Sequence, residues 1–125
     1  MPIYWTIDSR ERLVDIRAEG SISLADCLEF LQVLEGAQSL PYRKLLDARL
    51  ALLEMTREEA MQVVVLARAI HERGPVGPLA IVTTKDRVIQ STQLLGAVAA
   101  ADRPLRLFTS ERQARRWLAS LLPAG

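Results

Sequence analysis

The sequence predicts an α/β fold, a single five-stranded mixed sheet in the order ββαβαβαβα with helices packed on its faces. One observation is that short apolar or alternating runs are followed, from the second strand on, by segments of helical spacing. Another is that capping motifs precede the helical segments. The third is the length: 125 residues, 50% of them hydrophobic, suit one domain over 1–125.

The first two strands are predicted to form an antiparallel hairpin. Ile3, Trp5 and Ile7 alternate with more polar neighbours, and 13–18 alternates again after a charged turn. Gly20 is expected to end the second strand.

The first helix is predicted over 24–35, since Ser23 and Asp26 have capping-box spacing and leucines follow at helical intervals. A short apolar run over 44–48 is typical of a strand covered on both faces.

Thr56 and Glu59 form a second capping box, which starts a long helix ending near Arg73. The remaining elements are a strand over 79–83, a helix over 85–101, a strand over 105–109 and a helix from a Ser110 cap through Leu121. Parallel later strands would place each following helix start at the carboxyl edge of the sheet, where open α/β sheets bind ligands.

Composition argues against several function classes. Sixteen Lys and Arg residues balance fifteen Asp and Glu residues, so no nucleic-acid partner is expected. No apolar stretch is long enough to cross a membrane, and 1–12 has no signal-peptide pattern, so we expect a cytoplasmic protein without an integral membrane segment. A single cysteine, Cys27, and a single histidine, His71, predict neither an internal disulfide nor a metal site.

Catalytic signatures are also missing from the sequence. The dinucleotide, P-loop, serine-hydrolase and zincin motifs are absent. Cys27 begins one predicted helix and His71 ends another, so the pair is expected to lie too far apart for nucleophilic catalysis. We therefore nominate no catalytic residue and no cofactor.

Three segments, KLLDARLALLEMT, GPLAIVTT and LRLFTSERQARRWL, resemble the sulfate-transporter and anti-sigma-antagonist (STAS) fold, in particular its SpoIIAA-like bacterial group. The resemblance implies a regulatory binding domain. Signalling members of that family carry a phosphorylatable serine in an Asp-Ser-Ser-Gly turn beyond the strand that ends here near Asp47. This chain lacks that turn, and Thr56 is the one hydroxyl that could take the role. One alternative is therefore a phospho-regulated anti-sigma-factor antagonist with Thr56 as acceptor.

A second alternative places a small ligand at the carboxyl edge, where helix-start amides, hydroxyls and cations are expected to converge. The protein would then be a small-molecule or lipid carrier, or a hydrolytic enzyme. The candidate rim residues are Asp47, Met55, Thr56, Arg57, Thr83, Thr84, Lys85, Arg87 and Ser91.

The leading hypothesis is a non-enzymatic STAS-like domain that recognises a protein partner or small ligand and self-associates. It depends on the segment 88–101, which has no charged residue, and on the apolar middle of the 57–73 helix. Such surfaces indicate contact with another molecule, most simply in a homodimer. The candidate interface residues are Val63, Leu66, Ile70, Gln90, Gln93, Leu94 and Ala97.

Overall fold

Five strands form one mixed sheet in the spatial order β1-β2-β3-β4-β5. The computed structural model describes residues 3–73, 77–86 and 105–121, apart from the side chains of Leu53, Val64, Ala67, His71 and Arg73. The elements are β1 (Ile3–Asp8), β2 (Leu13–Ile22), α1 (Leu24–Gly36), β3 (Arg43–Leu53), α2 (Arg57–Arg73), β4 (Leu79–Val82), β5 (Leu105–Phe108) and α3 (Glu111–Ser120). β1 is antiparallel to β2 and the later strands are parallel, so the predicted mixed sheet is confirmed.

One face of the sheet packs against α1 and is called here the α1 face. Val14, Ile16 and Ala18 of β2 are buried there, because alternate strand residues point to the same side. Leu34 of α1 closes this core, and the ring of Phe30 lies 5.4 Å from that of Trp5.

The opposite face packs against α3 and is called the α3 face. Leu45, Ala80 and Val82 are buried under Ala114 and Leu118 of α3. This helix lies mainly over β3, β4 and β5. α3 therefore covers little of the α3 face at β1, β2 and the end of β3.

The predicted capping boxes set the helix starts. The Ser23 hydroxyl accepts a hydrogen bond from the Asp26 amide at 3.2 Å, and the Asp26 carboxylate accepts one from the Ser23 amide at 2.9 Å. Thr56 and Glu59 make the same reciprocal pair at 3.1 and 3.0 Å. Each pair satisfies amides that the first helical turn leaves without a partner.

Two strands are longer than predicted. Gly20 does not end β2, since the strand continues through it to Ile22 with a φ of +74° that glycine tolerates. β3 continues to Leu53, beyond the end predicted at residue 48. The reason is a second stretch of parallel ladder, in which Glu19 to Ile22 pair with Leu50 to Leu53.

A β-bulge separates the two stretches of this ladder. Arg17 pairs with Asp47 but Glu19 pairs with Leu50, so β3 has one more residue than β2 in between. Bulges of this kind redirect side chains and are frequent beside functional sites. The extension beyond the bulge projects past β4, whose pairing with β3 ends at Asp47.

The amino edge of the sheet is held by a buried cation. Nη1 of Arg43 donates to the Leu118 carbonyl at 2.9 Å and Nη2 donates to the Glu11 carbonyl at 2.7 Å. This one side chain ties α3 and the β1–β2 turn to β3. Of the helix predicted over 85–101, Lys85 and Asp86 are helical and the remainder lies outside the described residues.

Candidate functional site

The part of the α3 face that α3 leaves uncovered carries three exposed apolar side chains among the described residues. Tyr4, Leu50 and Leu52 are 49%, 68% and 56% exposed. Ala51 packs on the α1-face core, so its neighbours Leu50 and Leu52 point to the α3 face. We call the surface formed by Tyr4, Arg17, Leu50 and Leu52 the open patch.

Arg17 joins the two ends of the open patch. It is the register partner of Tyr4 on β1 and of Asp47 on β3. Its guanidinium carbon lies 5.3 Å from the centre of the Tyr4 ring, and its Nε lies 2.9 Å from a carboxylate oxygen of Glu19. The cation therefore lies over an aromatic ring, a favourable arrangement at a surface.

The bulge presents a carboxylate beside the open patch. Nε and Nη2 of Arg49 donate to the two oxygens of Asp47 at 2.9 and 2.7 Å, and the Arg49 amide donates to Oδ1 at 3.2 Å. These hydrogen bonds from Arg49 hold the pKa of Asp47 below its ordinary value, although partial burial opposes them. Asp47 is thus held as a carboxylate in one orientation.

The first turns of α3 supply the wall opposite β1. Arg115 donates to both carboxylate oxygens of Asp15, at 3.2 and 2.8 Å, and lies 3.6 Å from Glu111 one helical turn earlier. The hydrogen bonds from Arg115 to Asp15 raise the pKa of this guanidinium above its ordinary value. The α3 wall is therefore charged but internally paired.

Two shallow cavities adjoin the open patch, and Arg17 and Asp47 line both. One, of about 270 Å³, lies at the bulge and is also lined by Ala18, Arg49 and Leu50. The other, of about 320 Å³, lies between β1 and α3 and is also lined by Tyr4, Trp5, Thr6, Asp15, Ile16, Glu111 and Arg115.

Of the predicted rim residues that the structure describes, only Asp47 lines either cavity. Met55 packs against the α1-face core instead. Thr83 is 3% exposed, and its amide donates to the Phe108 carbonyl at 2.8 Å as part of the sheet. Arg57 and Lys85 are exposed and Thr84 is half-buried, whereas Arg87 and Ser91 lie outside the described residues.

Thr56, the predicted phospho-acceptor, is exposed at the start of α2. Its hydroxyl oxygen caps the Glu59 amide, and the Glu59 carboxylate returns the contact to the Thr56 amide. A phosphate there would have to replace the cap beside a carboxylate. The role of Thr56 as an acceptor stays a prediction.

The predicted interface residues of α2 that the structure describes are buried or half-buried in the monomer. Ile70 is 4% exposed and so is enclosed within the monomer, while Val63 and Leu66 are half-buried. The exposed apolar side chains of α2 are Met61 and Val65, at 46% and 62%. Gln90, Gln93, Leu94 and Ala97 lie outside the described residues.

Cys27 is half-buried in α1 and packs beside the α1-face core. Burial, aided by the neighbouring Asp26 charge, raises the pKa of its thiol. The reactive thiolate is therefore disfavoured.

Within the described ranges, no cluster of His, Cys, Asp and Glu side chains could hold a metal ion. The helices of the same ranges include none that is long and apolar enough to cross a membrane.

Sequence reasoning missed Tyr4, Arg17, Leu50 and Leu52 as site residues. The signal was present in the alternation of polar residues along 17–21, which continues the strand past Gly20. A paired strand over 50–53 would then have placed two leucines on the same outward face.

Comparison with known proteins identifies the fold. No family model matches the chain, and no curated protein matches it. A solved structure from the DUF3478 family of Shewanella loihica PV-4, described as having a SpoIIAA-like fold, superposes with a TM-score of 0.66. The match covers 93% of each chain at 16% sequence identity. The predicted SpoIIAA-like fold is thus confirmed.

Proposed function

We propose that this chain is a non-enzymatic, STAS-like regulatory domain of the bacterial cytoplasm that recognises a protein partner through the open patch. The observation that carries the proposal is that exposed apolar side chains share one face of the sheet. Among the described residues five large hydrophobic side chains are exposed, and Tyr4, Leu50 and Leu52 all lie on the uncovered part of the α3 face.

The composition of the open patch favours a protein partner. Protein interfaces typically have an apolar centre rich in tyrosine and arginine, surrounded by a polar rim. Tyr4, Leu50 and Leu52 supply the apolar side chains here, Arg17 and Glu19 lie on β2 between the two sets, and the Asp47–Arg49 pair lies at the rim.

The supporting backbone favours recognition by a preformed surface. Leu50 and Leu52 lie in a hydrogen-bonded ladder with Glu19 and Ser21 rather than in a loop. A side chain whose backbone is already ordered loses less entropy when a partner binds. The adjoining cavities, of 270 and 320 Å³, are shallow and lie close to the lower limit of about 300 Å³ for small-molecule pockets, which makes a small ligand the weaker choice.

Site-specific photo-crosslinking in the source cells tests the proposal. A benzophenone side chain at Leu52 should give a discrete protein adduct, and the same group at Val65 is the matched control because that residue is 62% exposed on α2. The adduct should weaken when Leu50→Ala is added.

Adduct formation at Val65 with none at Leu52 would contradict the proposal and would move the docking surface to α2. A stoichiometric small molecule retained in a native mass spectrum of the full chain, with no protein adduct at Leu52, would favour the ligand alternative instead.

A further inference from the structure

β1 is an edge strand with an unusual lack of protection. It pairs with β2 over six consecutive register positions without a bulge, and no described strand lies on its other side. From Ile3 to Ile7 it contains no charged residue and no proline; in the sequence Pro2 precedes the strand, and Asp8, which ends it, caps amides of the following turn. Proteins normally protect a sheet edge with lysine, proline, a bulge or a very short strand, because the free backbone groups of an edge can pair with another chain.

The other edge of the sheet differs. β5 has four residues, and one of them, Arg106, is exposed and charged. The short length and the charge both oppose pairing there. The two edges are therefore not equivalent, and β1 is the one suited to strand addition.

We propose that β1 pairs antiparallel with β1 of a second copy of this chain, about a two-fold axis, to give a continuous ten-stranded sheet. This goes beyond the proposed partner recognition and does not depend on it. The pairing would satisfy the outward amide and carbonyl groups of both edges.

The charges on the α3 face favour one register of this pairing, with Arg17 also contacting Glu19 and Asp15 also bound by Arg115 within each copy. On the α3 face Tyr4 lies opposite Arg17 and Thr6 lies opposite Asp15 within each copy. If the two-fold axis passes between the two Trp5 residues, Tyr4 of one copy lies opposite Thr6 of the other. The Tyr4–Arg17 pair of one copy then adjoins the Thr6–Asp15 pair of the other. An axis through Tyr4 or through Thr6 would instead align like charges.

The charged turn at the end of β1 also favours antiparallel over parallel pairing of the two copies. Asp8, Arg10, Glu11 and Arg12 all lie at one end of β1. Antiparallel pairing places the two turns at opposite ends of the interface, whereas parallel pairing would bring Asp8 beside Asp8 of the other copy. The axis through Trp5 further brings the two indole rings together on the α1 face, a stabilising type of cross-strand contact.

Sedimentation velocity of the full chain across the micromolar range tests the proposal. We expect a concentration-dependent species of twice the 13.9 kDa chain mass. Thr6→Lys should raise the dimer dissociation constant at least about tenfold, because the new ammonium would face the Tyr4–Arg17 pair of the other copy. Thr6→Glu should retain the dimer, because the carboxylate would face that Arg17 instead.

Folding and interface effects can be separated. Position 6 is exposed on β1 within the monomer, so lysine there should be tolerated and circular dichroism should show an intact fold. Val65→Lys is the matched control for an added charge on the exposed face of α2 and should leave the dimer unchanged.

Three results would overturn the proposal: a wild-type chain that stays monomeric, a Thr6→Lys dimer of unchanged affinity, or a dimer lost with Val65→Lys and kept with Thr6→Lys. The last would place self-association on α2. Leu50→Ala with Leu52→Ala should not affect the dimer, so a failure of partner recognition at the open patch is distinguishable from a failure here.

Discussion

Truncating the two exposed leucines should cost little stability. Leu50→Ala and Leu52→Ala each remove three carbon atoms, worth about 2.4 kcal/mol at roughly 0.8 kcal/mol per fully buried methylene. With Leu50 68% exposed and Leu52 56% exposed, only about a third and under half of that burial exists in the monomer. The expected losses in the free energy of unfolding are therefore about 0.8 and about 1 kcal/mol.

Leu118→Ala is the matched control, since the same atoms are removed from a side chain that is 2% exposed under α3. A buried truncation adds a cavity and should cost about 2–5 kcal/mol. Urea unfolding followed by circular dichroism measures all three variants. A loss for Leu50→Ala equal to that for Leu118→Ala would refute the reasoning, because it would mean that Leu50 stabilises the fold rather than awaiting a partner.

Three further predictions concern the loop before β4, the bulge carboxylate and the cysteine. Gly77→Ala should lower the melting temperature by several degrees, because a Cβ there would overlap backbone carbonyl oxygens, whereas Gly36→Ala has open space and should be neutral or stabilising. Asp47→Asn should make the free energy of unfolding depend less on pH. The lowered pKa of Asp47, caused chiefly by Arg49, contributes stability that is complete above about pH 4 and is lost as the pH falls through the folded-state pKa. The urea midpoints of the wild type and the variant, measured from about pH 6 to about pH 2, should therefore differ most above about pH 4. Cys27 should react with a disulfide reagent at neutral pH at least about tenfold more slowly than glutathione, because burial raises the pKa of its thiol, and an equal rate would contradict that placement.

The sequence was sufficient for the sheet because its signals are local. The alternation of Ile3, Trp5 and Ile7 and the capping residues Ser23 and Thr56 act within a few positions of themselves, and each has the predicted role in the structure. The spacing of apolar residues then determined which faces pack together.

The open patch could not be predicted in the same way, because it depends on pairing between distant residues. The bulge between Arg17 and Asp47 exists only when β2 and β3 come together, and the ladder that it permits turns an apparent loop into a strand. Gly20 gave a misleading local signal, since its positive φ is accommodated within β2. The position of α3 on the sheet also determines which strand residues stay exposed, and no local sequence pattern encodes that position.

The most direct test of partner recognition is an affinity measurement with the protein captured at Leu52. Partner burial of the area that Leu50 and Leu52 now expose is worth roughly 1–2 kcal/mol for each. Titration calorimetry should then show that the double variant Leu50→Ala, Leu52→Ala binds about a hundredfold more weakly than the wild type. The control double variant Met61→Ala, Val65→Ala should bind within about threefold of the wild-type affinity. Equal binding by the wild type and the Leu50, Leu52 double variant would contradict the account.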